Sequence, residues 1–125
     1  MARILVVDDE EQIRGLLASF FTRTGFEVTL ASGGEEAVRL LKSGILIDLM
    51  ILDMTMPKVT GADVLKEKKS LKNTSPVLLL TGNTAWNKTN VNPETLGIQL
   101  EDVVYKPVDL FILLAMVKNK LGMSL

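Results

Sequence analysis

Five polar side chains, three carboxylates, one hydroxyl and one ammonium group, lie at the ends of apolar runs of the sequence. They are Asp8, Asp9, Asp53, Thr81 and Lys106. Carboxylates bind oxygen-preferring cations such as Mg²⁺ or Mn²⁺, and a carboxylate can itself attack phosphorus. An ammonium group neutralises charge on a transferring phosphoryl group, and a hydroxyl donates a hydrogen bond to one of its oxygens. These residue types together suit a metal-assisted phosphoryl transfer.

Short apolar runs alternate with amphipathic segments along the chain, and this alternation predicts the elements that position the five residues. The predicted strands lie within residues 3–7, 26–31, 46–52, 76–80 and 103–105. The predicted helices contain residues 13–20, 32–42, 62–71 and 108–121. Ser32 with Glu35 three positions later resembles a capping box at the start of the second helix. The asparagine-rich segment from 82 to 97 predicts an irregular or shortened fourth helix.

The strands are apolar along their whole length, which is typical of a parallel sheet covered on both faces. We therefore predict an α/β fold of the doubly wound, flavodoxin-like type, with five parallel strands and helices on both faces. A chain of 125 residues is the size of one ordinary domain. No linker or internal repeat divides it, so we expect a single domain over residues 1–125.

Ligands of a parallel sheet bind beyond the carboxyl ends of its strands, and all five polar residues follow such ends. Each residue taken alone has an ordinary alternative role. Asp8 or Asp9 could cap a helix, Asp53 could form a turn, Thr81 could form a loop and Lys106 could be a solvated charge. Their placement at the same edge favours a functional site over these separate roles.

The composition excludes several classes of chemistry. The chain contains no histidine and no cysteine, which removes Ser-His-Asp and Cys-His catalysis, the usual zinc sites and a role as phosphohistidine donor. Its formal net charge is -1, so no general nucleic-acid footprint is present. No run approaches transmembrane length, and the N-terminus lacks a secretory cleavage region. We expect a cytoplasmic protein that binds neither nucleic acid nor membranes directly.

The sequence resembles the receiver domains of two-component response regulators over nearly its whole length. The resembling motifs are Val6-Val7-Asp8-Asp9-Glu10, Leu52-Asp53-Met54-Thr55-Met56-Pro57 with Gly61, Leu80-Thr81-Gly82 and Lys106-Pro107. By this resemblance Asp53 is the phosphoacceptor. Asp9 and Asp53 hold the metal together with the backbone carbonyl of Thr55, and Asp8 helps through water. Thr81 and Lys106 contact the phosphoryl group, and the peptide bond before Pro107 is cis.

The resemblance also implies a function. A histidine kinase or a histidine phosphotransfer protein would donate a phosphoryl group to Asp53, with Mg²⁺ or another divalent cation present. Phosphorylation would alter a surface that binds a protein output partner, or act on an effector domain that this chain does not include. The chain would not be a separate enzyme, although it would assist its own phosphorylation and dephosphorylation.

Two features depart from the receiver pattern. The usual aromatic switch position three residues before Lys106 holds Val103, while Tyr105 directly precedes the lysine. Alternation along a strand predicts that Tyr105 and Val103 share a face and that Val104 lies on the other. Trp86 lies within the unusual segment 82–97, either as a partner contact or as cover for the core.

The last predicted helix is apolar on every side between residues 110 and 117. Such a helix favours burial of its second face against another copy of the chain, a partner or a missing domain. A homodimer through this helix is one of these three arrangements. The alternative is that the irregular segment buries both faces within the monomer.

Two other functions compete with phosphorylation at Asp53. The first is a receiver-like docking module that is never phosphorylated, which the unusual segment 82–97 favours and the intact acidic set opposes. The second is an aspartate-based phosphatase, but such enzymes carry a second acid where this chain has Thr55. Nucleotide or flavin binding is disfavoured because no phosphate-binding glycine loop follows the first strand.

Overall fold

A five-stranded parallel sheet forms the centre of the computed structural model, which describes residues 1–82 and 98–123. The strands are β1 Arg3–Val7, β2 Glu27–Ala31, β3 Leu49–Asp53, β4 Val77–Thr81 and β5 Val103–Tyr105. Their order in the sheet is β2-β1-β3-β4-β5, and each neighbouring pair is parallel. The change of direction in this order lies beside β1, as in other doubly wound sheets. The predicted fold class is confirmed.

The described residues contain four α-helices. They are α1 Glu11–Arg23, α2 Gly34–Lys42, α3 Gly61–Ser70 and α4 Leu110–Lys120, and a single 3₁₀ turn over Leu100–Asp102 precedes β5. The predicted irregular fourth helix and Trp86 fall within residues 83–97, outside the described residues. The helix labelled α4 here is therefore the last helix predicted from the sequence.

Apolar side chains cover both faces of the sheet in two separate clusters. One cluster packs α2 and α3 against one face, with Leu5, Val7 and Leu79 among its members. The other packs α1 and α4 against the opposite face and includes Phe21 and Leu113. The central strands β3 and β4 are buried at every position, which explains why they read as continuous apolar runs.

The short edge strand β5 follows the alternation expected of a strand. Val103 packs against the cluster of α2 and α3, whereas Val104 packs against the cluster of α1 and α4. Tyr105 is half exposed at the end of the strand. The prediction that Val103 and Val104 lie on opposite faces is confirmed.

The start of α2 differs from the prediction. Gly33 is the N-cap residue, and no described side chain caps this helix end. Glu36, not Glu35, turns back and accepts a hydrogen bond from the Ser32 backbone N–H at 2.9 Å. The capping box between Ser32 and Glu35 is therefore wrong. With Gly33 as N-cap, Glu36 occupies the third helical position, from which an acidic side chain reaches back.

Helix α2 begins in close contact with the loop after β3, which leads to a stability prediction. A Cβ atom added to Gly34 would clash with the Val59 carbonyl oxygen. We expect Gly34→Ala to lower the free energy of unfolding by about 2 kcal/mol, because helix and loop must move apart. Urea denaturation measures this. Gly15→Ala is the control, since no described atom beyond the adjoining part of its own helix lies within 4 Å of its added Cβ. An equal loss there would contradict the steric explanation.

In the part of the chain that the structure describes, no helix is long and apolar enough to cross a membrane. The longest, α1, has 13 residues, whereas a crossing needs about 20. The cytoplasmic location and the single-domain organisation expected from the sequence stay predictions.

Candidate functional site

Four carboxylates and one lysine meet at the carboxyl edge of the sheet, in what we call the acidic pocket. Asp8, Asp9 and Glu10 follow β1, Asp53 is the last residue of β3, and Lys106 follows β5. One oxygen from each of the four acids lies within 4.8 Å of the others. The sheet brings these residues together because β1 and β3 are direct neighbours and parallel. The clustering expected from the sequence is thus present.

Asp8 is held deep in the acidic pocket. Its side chain is fully buried, and its Oδ1 accepts a hydrogen bond from the Glu10 backbone N–H at 2.8 Å. Its backbone carbonyl accepts a 2.7 Å hydrogen bond from the Arg14 guanidinium group. The second carboxylate oxygen, Oδ2, is buried, and the Lys106 ammonium group lies 3.2 Å from it as an ion pair without a well-directed hydrogen bond. A buried carboxylate oxygen in this state is suited to bind a cation or an ordered water.

Asp53 is buried beside Asp8, with only 2% of its surface exposed. Its Oδ1 accepts a hydrogen bond from the Thr55 backbone N–H at 3.0 Å. Burial is the main cause that raises the pKa of Asp53 from 3.8 to about 7, and the charge of Asp8 adds to it. The Thr55 N–H and the Lys106 charge lower the pKa but do not cancel the rise. The ionised carboxylate is therefore costly in this pocket until further positive charge enters.

Lys106 contacts three of the carboxylates. Its Nζ lies 3.0 Å from Glu10 Oε1, 3.2 Å from Asp8 Oδ2 and 3.5 Å from Asp53 Oδ2. Burial lowers the pKa of Lys106, but the hydrogen bond to Glu10 and the charges of Asp53 and Asp8 raise it by more. The ammonium group therefore stays charged.

The acidic pocket fits a divalent cation. Among the described residues, four acidic side chains face one ammonium group, so ionising all four would leave an excess of negative charge. The donor atoms are carboxylate oxygens, which hard cations such as Mg²⁺ prefer. Such a cation would give the buried Asp8 Oδ2 a further positive partner and would lower the raised pKa of Asp53.

Thr81 and Thr55 lie at the same edge of the sheet. Thr81 is the buried last residue of β4, next to β3, and its carbonyl oxygen accepts a 2.8 Å hydrogen bond from the Lys106 backbone N–H. Thr55 is exposed and contacts Asp53 through its backbone N–H. The ligand role of the Thr55 carbonyl stays a prediction. The Lys106–Pro107 peptide is cis, as the resemblance implies.

Sequence reasoning gave no role to two residues of this site. Glu10 stands beside the acidic pair in sequence, but its hydrogen bond to Lys106 joins positions 96 residues apart. Arg14 supports Asp8 from the first turn of α1. The spacing of four residues between Glu10 and Arg14 was a signal, since both then lie on one side of the helix start.

Comparison with known proteins decides the family. The sequence profile of the response regulator receiver domain matches residues 4–118. The chain belongs to this family. Among curated relatives, the response regulator SaeR of Staphylococcus aureus is 39% identical over 107 residues, which cover 86% of this chain. The match covers only 45% of SaeR, so this receiver domain spans less than half of that relative's length.

Solved structures of receiver domains share this fold. The response regulator TrrA of Thermotoga maritima, determined in complex with Mg²⁺ and BeF, is 33% identical, with a TM-score of 0.80 and coverage of 96% of this chain and 99% of TrrA. The chemotaxis protein CheY4 of Vibrio cholerae is 29% identical, with a TM-score of 0.81 and coverage of 95% and 98%. This chain is thus a signalling domain of two-component regulation.

Proposed function

We propose that this receiver domain accepts a phosphoryl group on Asp53 in a two-component phosphorelay, from a histidine kinase or a histidine phosphotransfer protein. The observation that carries the proposal is the buried Asp53 carboxylate, whose Oδ2 lies 3.5 Å from Lys106 Nζ inside a group of four acids. One phosphoryl group bound in this pocket could thereby contact a carboxylate nucleophile, the Lys106 ammonium group and a metal ion held by carboxylate oxygens.

We assign Asp8, Asp9, Asp53 and the carbonyl of Thr55 to binding Mg²⁺ or another divalent cation such as Mn²⁺. The bound ion would stabilise negative charge on the acceptor carboxylate and on the transferring phosphoryl oxygens. Its charge would also lower the pKa of Asp53, whose raised value keeps part of the acceptor protonated near neutral pH.

The transfer itself uses the residues of this chain. Asp53 Oδ1 is engaged by the Thr55 N–H, which leaves Oδ2, on the side of Lys106, to attack phosphorus. The bond from phosphorus to the donor's histidine nitrogen breaks as the acyl phosphate forms, and the electron pair stays on that nitrogen. Lys106 neutralises charge on the phosphoryl oxygens, and the Thr81 hydroxyl donates a hydrogen bond to one of them. The domain thus assists its own phosphorylation, and the same groups assist hydrolysis.

The output follows from the new charge on Asp53. A phosphoryl oxygen that bonds to Thr81 would draw the chain after β4 towards the pocket and so alter a protein-binding surface. The partner is a separate protein or an effector domain of a longer chain. Phe111 and Ile112 on α4 are 77% and 60% exposed, which supports a homodimer through this helix.

The proposal is tested by intact-protein mass after incubation with acetyl phosphate and Mg²⁺. We expect a single phosphoryl adduct on the natural chain that is absent from Asp53→Asn and absent in EDTA. Glu35→Gln, which removes an exposed carboxylate on α2, is the matched control and should be labelled normally. No adduct under conditions that label another receiver domain would overturn the proposal and support the unphosphorylated docking module.

A further inference from the structure

The closest partner of Lys106 in the acidic pocket is the most exposed of its three carboxylates. Lys106 Nζ donates a hydrogen bond to Glu10 Oε1 at 3.0 Å, although the Glu10 side chain is 57% exposed. The distances to the buried Asp8 and Asp53 are longer, at 3.2 and 3.5 Å. The ammonium group therefore contacts all three carboxylates, and it lies about half an ångström closer to the exposed Glu10 oxygen than to the acceptor oxygen.

The backbone of Glu10 is held at the start of α1. Its N–H donates to Asp8 Oδ1 at 2.8 Å, and its carbonyl accepts the first helical hydrogen bond from the Arg14 N–H at 3.0 Å. Glu10 is the N-cap residue of the helix. The short connection between β1 and α1 thus holds a carboxylate at the entrance of the pocket.

Resting on the proposed function, we propose that Glu10 is a positioning residue that holds the Lys106 ammonium group at the pocket entrance and slows phosphorylation by anionic small-molecule donors. Two effects act in the same direction. The hydrogen bond between Lys106 and Glu10 must break before the ammonium group can neutralise the charge of an incoming phosphoryl group. The Glu10 carboxylate also repels a negatively charged donor, and this repulsion is strongest at low salt.

Glu10 has a second conceivable role as a fourth metal ligand, since its carboxylate belongs to the group of four acids. Its contact with Lys106 is the shortest of the three, so a divalent cation at Glu10 Oε1 would lie nearest to the ammonium group and be repelled most strongly by it. The two roles predict opposite results. Loss of a ligand weakens Mg²⁺ binding and slows phosphorylation, whereas loss of the lysine's restraint speeds phosphorylation and changes Mg²⁺ binding little.

The test compares Glu10→Gln and Glu10→Ala with the natural chain. We expect acetyl phosphate to label both variants about three- to tenfold faster at low salt, with a smaller difference at high salt. The rate of labelling by phosphoramidate, which is less negatively charged at neutral pH, should increase less. The ratio of the two rates therefore shifts in favour of acetyl phosphate. A change confined to the fold would not alter this ratio. Calorimetric titration should give Mg²⁺ affinities within about threefold of the natural chain, against a loss of at least about tenfold for Asp9→Asn.

Glu11→Gln is the matched control, because it removes the same charge from the adjacent exposed position without a contact to Lys106. Rates for both Glu10 variants equal to those of Glu11→Gln would overturn the inference while the labelling of the natural chain still supports the proposed function. A loss of Mg²⁺ affinity comparable to that of Asp9→Asn would overturn it in favour of a metal ligand. An unlabelled natural chain would overturn both proposals.

Discussion

Lys106→Met is expected to slow the phosphorylation of Asp53 by acetyl phosphate about a hundredfold. Methionine keeps the length of the side chain but removes the charge that lies 3.5 Å from Asp53 Oδ2. The loss removes charge stabilisation from the transition state. It also raises the pKa of Asp53 further, because in the natural chain the charge of Lys106 lowers that pKa. The initial rate of adduct formation, followed by intact mass at saturating Mg²⁺, measures the effect.

Mg²⁺ affinity separates this effect from damage to the metal site. Removing a positive charge from the acidic pocket should leave Mg²⁺ binding equal or stronger, so a slow variant that still binds the metal identifies a defect in transfer. Lys42→Met, which removes an exposed charge on α2, should react at the natural rate. Equal rates for the natural chain and Lys106→Met would contradict the role given to this lysine.

The metal-free protein is expected to lose stability as the pH rises from about 4 towards 8. The pKa of Asp53 is 3.8 in its ordinary state and about 7 in the folded protein, chiefly because burial disfavours the charged form. Between these values the native state binds more protons than the unfolded state, so the free energy of unfolding falls as pH rises. The contribution of Asp53 is fully present below pH 3.8 and is lost by about pH 7. Its size is roughly 2–4 kcal/mol.

Asp53→Asn should therefore stabilise the metal-free protein at pH 8 by roughly 2–4 kcal/mol, measured by urea denaturation in EDTA. The amide oxygen can still accept the hydrogen bond from the Thr55 N–H, so the change mainly removes the charge. Mg²⁺ should reduce the difference in free energy of unfolding between the variant and the natural chain, because a bound cation stabilises the buried, ionised carboxylate of Asp53. A variant no more stable than the natural chain at pH 8 would show that Asp53 ionises there without cost.

Asp63→Asn provides a control with the opposite sign. Hydrogen bonds from the Thr60 backbone N–H and hydroxyl lower the pKa of Asp63, so this carboxylate stabilises the fold above its ordinary pKa. Its loss should lower the free energy of unfolding at pH 8, whereas the loss of Asp53 raises it. A common direction for both variants would indicate a general charge effect in place of burial at Asp53.

The sequence by itself determined the fold class and most of the acidic pocket. Strands β3 and β4 are buried on both faces, so their apolar runs identify them, although β3 begins at Leu49 and not at residue 46. Each run stops where a polar residue is needed. Asp53 and Thr81 close these two strands. Parallel strands end at one edge, so clustering followed from the pattern once the sheet was known to be parallel.

Local pattern was less reliable at helix starts. Ser32 and Glu35 have the spacing of a capping box, but α2 begins one residue later, and Glu36 makes the contact instead. Gly34, the first residue of α2, packs against the Val59 carbonyl, where a Cβ atom would be too close. This contact is found at the observed start of α2, one residue after the predicted start. Contact with a distant loop of this kind leaves no signal in the residues next to the helix.

Only the tertiary structure decided how the charges of the acidic pocket are shared. Asp8 is buried while the adjacent Asp9 and Glu10 are exposed, and Lys106 bonds to Glu10 from 96 residues away. The order of strands, with β4 between β3 and β5, sets the distance that this lysine must span. That order and the depth of each carboxylate depend on how helices pack on both faces of the sheet, and the energy of a charge depends on that depth.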